Sequence, residues 1–483
     1  MPSLSARALA SQLGEWRPHG TTPLYEALAD RVRLLILDGR ISLGTRLPAE
    51  RLLAEHEDLS RTTVAAAYAR LRELGFAESL RGSGTVARLP RSFDDGAPAL
   101  GESAGPGIID LSKATLTAIP LVAEAAREAA DLLPAHLHES GFDPVGLRVL
   151  RQAIADRYTA RGLPTTADEI LITLGAQHAI ALITRTLLSR GDRALIEAPS
   201  YPHAVEALQH AGARLVTVPV TTDEGWSNEV LEQVMPRTAP ALAYLMPDFH
   251  NPTGRTMPDE QRQRLQSLAA AHGTVLLVDE TMAELGFGRD DQPAPFAIGA
   301  EQRGATVVTV GSVGKSIWGG IRLGWVRGDR DLITRLSLAR LAGDLGSPVL
   351  EQLVLLRLLD SYDRVLAARR ADLRTGHSLM IAELEQRFPS WAVPHVDGGL
   401  SLWVNLGAPV SSQLALAARA EGLLIGAGPR FGIDGAFERF LRLPFCHPAE
   451  HTLRALDLLE LAWNRVVQRE PLVASDEVLA AVV

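Results

Sequence analysis

Two kinds of apolar spacing divide the chain into a short first part and a long second part. Between residues 23 and 38 apolar side chains recur every three or four positions, as at Leu24, Leu28 and Val32, which predicts an amphipathic helix. From Ile108 onward, unbroken apolar runs alternate with longer helical stretches. Such runs predict buried strands of a mostly parallel sheet, and they lie at residues 170–173, 193–197, 215–218, 241–245, 275–278 and 307–310. The second part is therefore predicted to be an α/β domain.

Two more helices and a hairpin are predicted in the first part. A second helix covers residues 48–56, and a third begins at Ser60, a favourable N-cap residue. The exposed first turn of this third helix is polar and contains Arg61, Thr62 and Thr63. Residues 76–80 and 85–87 form the arms of a β-hairpin around a Gly-rich turn. This order predicts a winged helix-turn-helix, in which the start of the third helix lies against base edges in the major groove of DNA.

A segment of linker composition separates the two parts. Residues 90–107 are rich in Pro, Gly, Ser and Asp and show no period typical of a helix or strand. We therefore expect a winged-helix domain over 20–89, a linker over 90–107, a large domain over 108–335 and a small C-terminal domain over 336–483. A chain of 483 residues has ample length for this organisation.

Composition limits how the chain can bind nucleic acid. Its net charge of −9 argues against binding over the whole surface. Residues 21–88 carry ten arginines against nine acidic residues, so any affinity for DNA has to come from where the arginines lie. The single cysteine, Cys446, excludes an internal disulfide framework and a cysteine-based metal cluster. No apolar run reaches transmembrane length and the N-terminus lacks the apolar core of a signal peptide, so we expect a cytoplasmic protein without a metal site.

The first part resembles the GntR family of winged-helix regulators. The resemblance spans residues 20–89 and rests on four motifs, Pro23-Leu24-Tyr25, Leu43-Gly44-Thr45-Arg46-Leu47-Pro48-Ala49-Glu50-Arg51, Leu59-Ser60-Arg61-Thr62-Thr63-Val64 and Arg81-Gly82-Ser83-Gly84-Thr85. It implies contact with a double-stranded DNA operator through Arg46, Arg51, Arg61, Thr62 and Gly82. Ser60 and Thr63 belong to the same start of the DNA-reading helix and are candidate contacts with them.

Lysine is scarce in this chain, and one lysine lies where a cofactor could be attached. The two lysines are Lys113 and Lys315, and Lys315 follows the last predicted strand in Gly311-Ser312-Val313-Gly314-Lys315. A lysine amine forms a Schiff base with an aldehyde cofactor. Ser312 and Arg322 are placed to hold the phosphate of such a cofactor.

Four earlier strand ends carry residues that suit pyridoxal phosphate. Residues 175–177 open a helix, whose free N–H groups bind phosphate. Tyr201 would stack on the pyridine ring, and the Asn251 amide would donate to its phenolate oxygen. Asp279 would keep the ring nitrogen protonated. These groups follow the C-terminal ends of strands, where open α/β sheets bind ligands.

From residue 108 onward the chain resembles the fold type I aminotransferases, and with its first part it resembles the MocR subfamily of GntR regulators. The resemblance implies that Lys315 carries pyridoxal 5′-phosphate as an internal aldimine. It assigns the pyridine nitrogen to Asp279, the ring hydroxyl to Asn251 and ring stacking to Tyr201. The phosphate is assigned to Gly175, Ala176, Gln177, Ser312 and Arg322. Arg442 corresponds to the arginine that binds a substrate carboxylate, and a head-to-tail homodimer is implied.

Three departures from the family pattern bear on activity. Phe142 stands where many members have a tyrosine, and Thr281 and Met282 stand where a tyrosine hydroxyl often lies near the ring. Lys113 lies in a segment that is usually rich in Gly and Pro, either near the mouth of the site or as a solvated surface lysine. The favoured interpretation is a regulator that senses pyridoxal phosphate or an amino compound and does not sustain turnover. An active aminotransferase with an accessory DNA-binding module is the alternative, and a scaffold without cofactor is a third.

Overall fold

The computed structural model describes residues 3–14, 16–17, 23–37, 41, 45–80, 84–88, 107–288, 292–433 and 436–468. The proposed linker therefore lies outside the described residues except for its last residue, Gly107, and Gly82 in the wing turn lies outside them as well. No helix within these ranges is long and apolar enough to cross a membrane.

The first domain packs four helices against a two-stranded antiparallel wing. Its elements are α1 (Ala6–Leu13), α2 (Leu24–Leu37), α3 (Glu50–Glu57), α4 (Arg61–Glu73), β1 (Ala77–Leu80) and β2 (Gly84–Ala87). Helices α2 to α4 and the wing lie where the sequence predicts them. Helix α1 adds Leu9 and Leu13 to the same core, which is closed by residues without solvent exposure such as Leu28, Val32 and Leu71.

The large domain is built around an eight-stranded sheet. In chain order its strands are β4 (Ile170–Thr173), β5 (Arg193–Ala198), β6 (Arg214–Thr221), β7 (Gly225–Trp226), β8 (Leu242–Leu245), β9 (Val275–Asp279), β10 (Val307–Ser312) and β11 (Gly324–Arg327). The spatial order is β4-β11-β10-β9-β8-β5-β6-β7. Strands β6, β5, β8, β9 and β10 run parallel, whereas β11 and β7 join antiparallel. The mostly parallel sheet predicted from the apolar runs is thus present.

Helices cover both faces of this sheet, which explains why its central strands are apolar throughout. They are α5 (Leu121–Leu132), α6 (Arg148–Ala160), α7 (Ala176–Leu187), α8 (Pro202–His210), α9 (Asn228–Thr238), α10 (Asp259–His272), α11 (Arg330–Arg340) and α12 (Val349–Leu359). All four residues of β4 and all four of β8 are buried. The loops that follow β4, β5, β8, β9 and β10 line one pocket at the edge of the sheet.

A four-stranded sheet forms the small domain. Its elements are β3 (Ile109–Leu111), α13 (Tyr362–Arg387), β12 (Ser401–Asn405), α14 (Ser411–Ala420), β13 (Leu423–Ala427), β14 (Phe440–Pro444) and α15 (Ala449–Gln468), with strand order β12-β14-β13-β3. Strand β3 pairs with β13, although the proposed boundaries assign it to the large domain. The chain thus enters the small domain first. The sequence did not indicate this, because an apolar pattern does not show which sheet a strand joins.

Candidate cofactor pocket and DNA-reading helix

The pocket at the strand ends contains every residue proposed for the cofactor. It is a concave site at the carboxyl ends of the strands, where open α/β sheets bind ligands. Its walls include Gly175, Ala176, Gln177, Tyr201, Asn251, Asp279, Ser312, Lys315 and Arg322. Five separate strand ends contribute these nine residues, so the fold brings together groups that lie up to 147 positions apart in the sequence.

Lys315 lines the pocket and is half-buried, in a wide helical turn over Gly314–Trp318. Its Nζ atom donates a hydrogen bond to the main-chain oxygen of Ala114 at 2.9 Å. Burial, and secondarily the nearby Arg442 guanidinium, lower the pKa of the Lys315 amine to about 8. A substantial fraction of this amine is therefore neutral near neutral pH, and the neutral form is the nucleophile.

Asp279 ends β9 with its carboxylate fully paired. Its Oδ2 atom accepts a hydrogen bond from the Tyr244 hydroxyl at 2.9 Å, and its Oδ1 atom accepts one from the Thr281 amide at 3.0 Å. Burial raises the pKa of Asp279, although these hydrogen bonds and Lys315 act in the opposite direction. A buried carboxylate held in this way fits a cationic partner such as a protonated pyridine nitrogen.

The phosphate end of the pocket is shaped by tight backbone contacts. Gly175 has a φ of +91° and precedes α7, so the helix begins abruptly and leaves its first N–H groups facing the pocket. A Cβ atom on Gly324 would lie 2.7 Å from the Gly311 oxygen and 3.0 Å from the Ala176 nitrogen, so only glycine fits beside this helix start. The Arg322 Nη2 atom donates to the Leu174 oxygen at 3.1 Å, at the same end of the pocket.

Pyridoxal phosphate fits the residues that line this pocket. The Asn251 Oδ1 atom is buried and has no hydrogen-bond partner among the residues that the structure describes. Tyr201 is partly buried at the start of α8, and desolvation together with the nearby Asp279 raises the pKa of its hydroxyl. The pocket therefore combines an amine, a helix start, an aromatic ring and a buried acid, which are the groups this cofactor needs.

Arg442 is buried beside the cofactor pocket on β14 of the small domain. Its Nη2 atom donates to the Ser112 main-chain oxygen, and its guanidinium carbon lies 4.9 Å from the centroid of the Phe431 ring. Its Nε atom has no partner within the described part of the chain. Burial lowers the pKa of this guanidinium to about 10. Arg442 is thus a desolvated cation with unused hydrogen-bonding capacity, not a surface ion pair.

The segment Ser112–Thr115 crosses the mouth of the site with its carbonyl groups turned inward. Ser112 and Ala114 supply the oxygens that bind Arg442 and Lys315. The Lys113 ammonium turns instead to the Asp110 carboxylate, at 3.0 Å. Lys113 therefore lies near the mouth, as one of the two interpretations expects, but as an ion-paired residue.

The departures from the family pattern differ in position. Thr281 and Met282 line the pocket and bring no phenol to it. Phe142 lies outside the pocket on an exposed loop, with about 70% of its surface accessible.

The DNA-reading candidates lie on one end of the first domain. Ser60 caps α4 by accepting a hydrogen bond from the Thr63 amide at 3.0 Å, which leaves Arg61 and Thr62 exposed on the first turn. The Arg51 and Arg61 side chains are 72% and 74% exposed. Arg46 bridges to the wing strand at Val86. Each of these cations is available to a polyanion.

Comparison with known proteins finds relatives of the winged-helix domain and of the rest of the chain. Residues 24–86 match the bacterial regulatory proteins of the gntR family, and residues 108–459 match the class I and II aminotransferases. The HTH-type transcriptional regulator TauR of Rhodobacter capsulatus is 30% identical over 89% of this chain and 94% of its own length. The chain belongs to the MocR subfamily of GntR-type transcriptional regulators.

Other relatives of this MocR chain match one part or the whole. The regulator YdfD of Bacillus subtilis is 26% identical over 89% of the chain and 94% of its own length. The 2-aminoadipate transaminase of Thermus thermophilus is 31% identical over 60% of the chain and 73% of its own length. The structure of LysN, an α-aminoadipate aminotransferase from Thermus thermophilus, superposes with a TM-score of 0.69 at 28% identity over 77% of this chain and 97% of that one. The predicted family and fold class are therefore confirmed.

Two features of the MocR site were not predicted from the sequence. Tyr244, the partner of Asp279, and Phe431, which contacts Arg442, are missing from the predicted set. A tyrosine in the middle of the aliphatic run Ala241–Leu245 was the available signal for the first, because a buried hydroxyl needs a partner. No comparable signal marks Phe431.

Proposed function

We propose that this regulator holds pyridoxal 5′-phosphate at Lys315 and uses the loaded pocket to sense an amino compound that carries a carboxylate. The observation that supports the proposal is the proximity of two cationic groups, Lys315 in the pocket and the buried Arg442 beside it, in a chain that also carries a DNA-binding domain. When bound, the cofactor supplies an aldehyde that condenses with primary amines.

The chain's own residues provide attachment and orientation. Lys315 acts as the attaching amine, and its lowered pKa of about 8 keeps it partly neutral. Asp279 holds a proton on the ring nitrogen, while Tyr201 covers one face of the ring. Gly175, Ala176, Gln177, Ser312 and Arg322 hold the phosphate.

Arg442 selects the effector by its carboxylate. A guanidinium offers a planar fork of donors that matches a carboxylate, and the unpaired Nε atom of Arg442 leaves part of this fork available. In this proposal the carboxylate takes the place of the Ser112 oxygen on Nη2, so that it accepts from Nε and Nη2 together as a two-donor fork. An effector that lacks a carboxylate gains nothing from this exchange and is bound more weakly.

The winged helix reads the operator as a dimer. Arg61, Thr62 and Thr63 face base edges, Ser60 fixes the helix start, and Arg46, Arg51 and Gly82 contact the DNA backbone. A head-to-tail dimer through the large domains is supported by exposed apolar side chains on adjoining loops. Leu137 and Phe142 are about 70% exposed, and Leu345 precedes Gly346, whose backbone packs against that of Asp143.

Operator binding measured with and without effectors tests the proposal. Operator DNA is selected from a random duplex pool with the full chain, and its affinity is measured by fluorescence anisotropy with pyridoxal phosphate and a panel of amino acids and matched amines. We expect carboxylate-bearing amines alone to shift the operator affinity, and the shift to be lost in Arg442→Ala.

Steady-state transamination of the same panel tests the alternative enzyme. We expect no sustained turnover with pyruvate or 2-oxoglutarate as acceptor. Turnover above about 1 s⁻¹, in the range of ordinary enzymes, without any effect on operator affinity would establish the aminotransferase instead.

A further inference from the structure

One ion pair joins the winged helix to the small domain. Arg31 lies on α2, and its Nη1 atom pairs with the Glu438 carboxylate of the small domain. Both side chains are largely buried, with 8% and 14% of their surface exposed. The Arg31 Nε atom also donates to the Leu13 oxygen at 2.8 Å, which fixes the guanidinium within its own domain. A buried pair between two domains resists separation more than an exposed one, because solvent screens it less.

Glu438 is held on the small-domain side by the first turn of α14. Its Oε2 atom accepts from the Ser412 amide at 3.0 Å, and its Oε1 atom accepts from the Ser412 hydroxyl at 2.8 Å. Its main-chain oxygen accepts from the Ser411 amide at 2.9 Å. Every oxygen of Glu438 therefore has a partner within the small domain. These hydrogen bonds hold the carboxylate in one position independently of Arg31.

The same turn connects Glu438 to the pocket around Arg442. The Ser411 hydroxyl accepts from the Gly428 amide at 3.0 Å, and Gly428 opens the turn that contains Phe431. A Cβ atom on Gly428 would lie 2.0 Å from the Phe437 oxygen, so this turn is packed directly on the segment that carries Glu438. Phe431 in turn contacts Arg442, and its own oxygen accepts from the Ser200 amide at 2.9 Å, next to Tyr201.

A second connection runs along the chain itself. Glu438 precedes β14, and Arg442 is the third residue of that strand. Four residues of extended chain span roughly 13 Å. A displacement of Arg442 along β14 therefore moves Glu438 through the connecting backbone. The contacts of Gly428 and Phe431 provide a second route through packing.

From these contacts we infer that Glu438 is the docking residue for the winged helix, and that a carboxylate bound at Arg442 loosens the docking. The second half of this inference rests on the proposed function. The direction follows from the bonding of Glu438. All of the Glu438 oxygens are already paired, so we expect a shift of β14, as Arg442 exchanges the Ser112 oxygen for a carboxylate, to weaken the contact of Glu438 with Arg31. The released winged helix then changes its spacing relative to the second copy on DNA.

Amide hydrogen exchange of the full chain tests this inference without any need for the operator sequence. The probe is N-(5′-phosphopyridoxyl)glycine, a stable conjugate that presents both a cofactor and a carboxylate. In the wild type we expect the conjugate to raise the exchange rate of α2 amides by a factor on the order of 5–150, the usual size of an allosteric coupling. In Glu438→Gln we expect the exchange to be raised already and the conjugate to add nothing.

Glu421→Gln is the matched control. Glu421 pairs with Arg465 at 2.5 Å inside the small domain and is 16% exposed, so it resembles Glu438 without contacting the first domain. This variant should respond to the conjugate like the wild type. Arg31→Gln should reproduce Glu438→Gln, and the double variant should exchange no faster than either single one, because the two residues form one contact.

The possible outcomes separate this inference from the proposed function. Wild-type exchange in Glu438→Gln without the conjugate would overturn the docking role. A conjugate effect that persists in that variant, or a wild type that binds the conjugate without any change in α2, would overturn the coupling. A wild type that does not bind the conjugate at all would instead contradict the proposed function, while the ligand-free comparison would still decide the docking role.

Discussion

The two lysines of this regulator differ in every property that matters for cofactor attachment. Lys315 lines the cofactor pocket and has a lowered pKa of about 8, whereas Lys113 forms an ion pair with Asp110. We expect borohydride reduction of protein loaded with pyridoxal phosphate to attach the cofactor stably to Lys315 alone. Lys315→Ala should then show no added mass in intact-protein mass spectrometry, and Lys113→Ala should match the wild type. Attachment in Lys315→Ala would contradict the assignment.

Tyr244 is expected to position Asp279 for the ring nitrogen of the cofactor. Tyr244→Phe removes the donor to Asp279 Oδ2 and leaves a buried carboxylate oxygen unsatisfied, which costs about 1–3 kcal/mol. We therefore expect weaker retention of pyridoxal phosphate, by roughly 5- to 150-fold for that energy, measured by dialysis and absorbance. Tyr158→Phe is the control, because its hydroxyl contacts Trp325 outside the cofactor pocket. Equal retention in both variants would show that Asp279 needs no such partner.

At the scale of elements, the hydrophobic pattern predicted six strands of the large sheet, the wing and three helices of the first domain, but none of the strands of the small domain. The parallel strands could be predicted from unbroken apolar runs, because helices cover both faces of the sheet. The pattern could not show that β3 joins the small domain, since a strand of three residues with two apolar side chains fits the edge of either sheet. The partners of Asp279 and Arg442 were missed because their contacts depend on tertiary structure. Tyr244 reaches Asp279 through the register of neighbouring strands, and Phe431 reaches Arg442 through the packing of a turn.

The start of α4 is the element on which DNA reading is expected to depend. Ser60→Ala removes the hydroxyl that accepts from the Thr63 amide, a loss of about 0.5–2 kcal/mol of helix stability. The first turn should fray, and operator affinity measured by anisotropy should fall because Arg61 and Thr62 lose their fixed positions. Ser227→Ala removes the equivalent cap of α9 in the large domain and should leave operator affinity unchanged. A similar effect in the two variants would point to general destabilisation.

At the scale of the whole molecule, the proposed homodimer would present two winged helices to the operator. The large domain exposes Leu137 and Phe142 near the loop that holds Gly346, an arrangement that suits burial against a second copy. Two linked winged helices bind two half-sites with far higher avidity than one. The family resemblance places a tyrosine at this position that reaches the partner subunit, so in the proposed dimer Phe142 would provide an apolar contact without the hydroxyl.

Phe142→Asp is therefore expected to separate the copies. A charge buried in an apolar interface without a partner is strongly unfavourable, so sedimentation velocity should show a monomer where the wild type is a dimer. Operator affinity should fall by roughly 10²-fold or more, because each copy then binds a single half-site. Leu461→Asp places the same charge at an exposed position of α15 and should leave both measurements unchanged. If the Phe142→Asp variant stays dimeric, the dimer interface does not include this loop. If the variant is monomeric but keeps its operator affinity, one winged helix suffices for recognition.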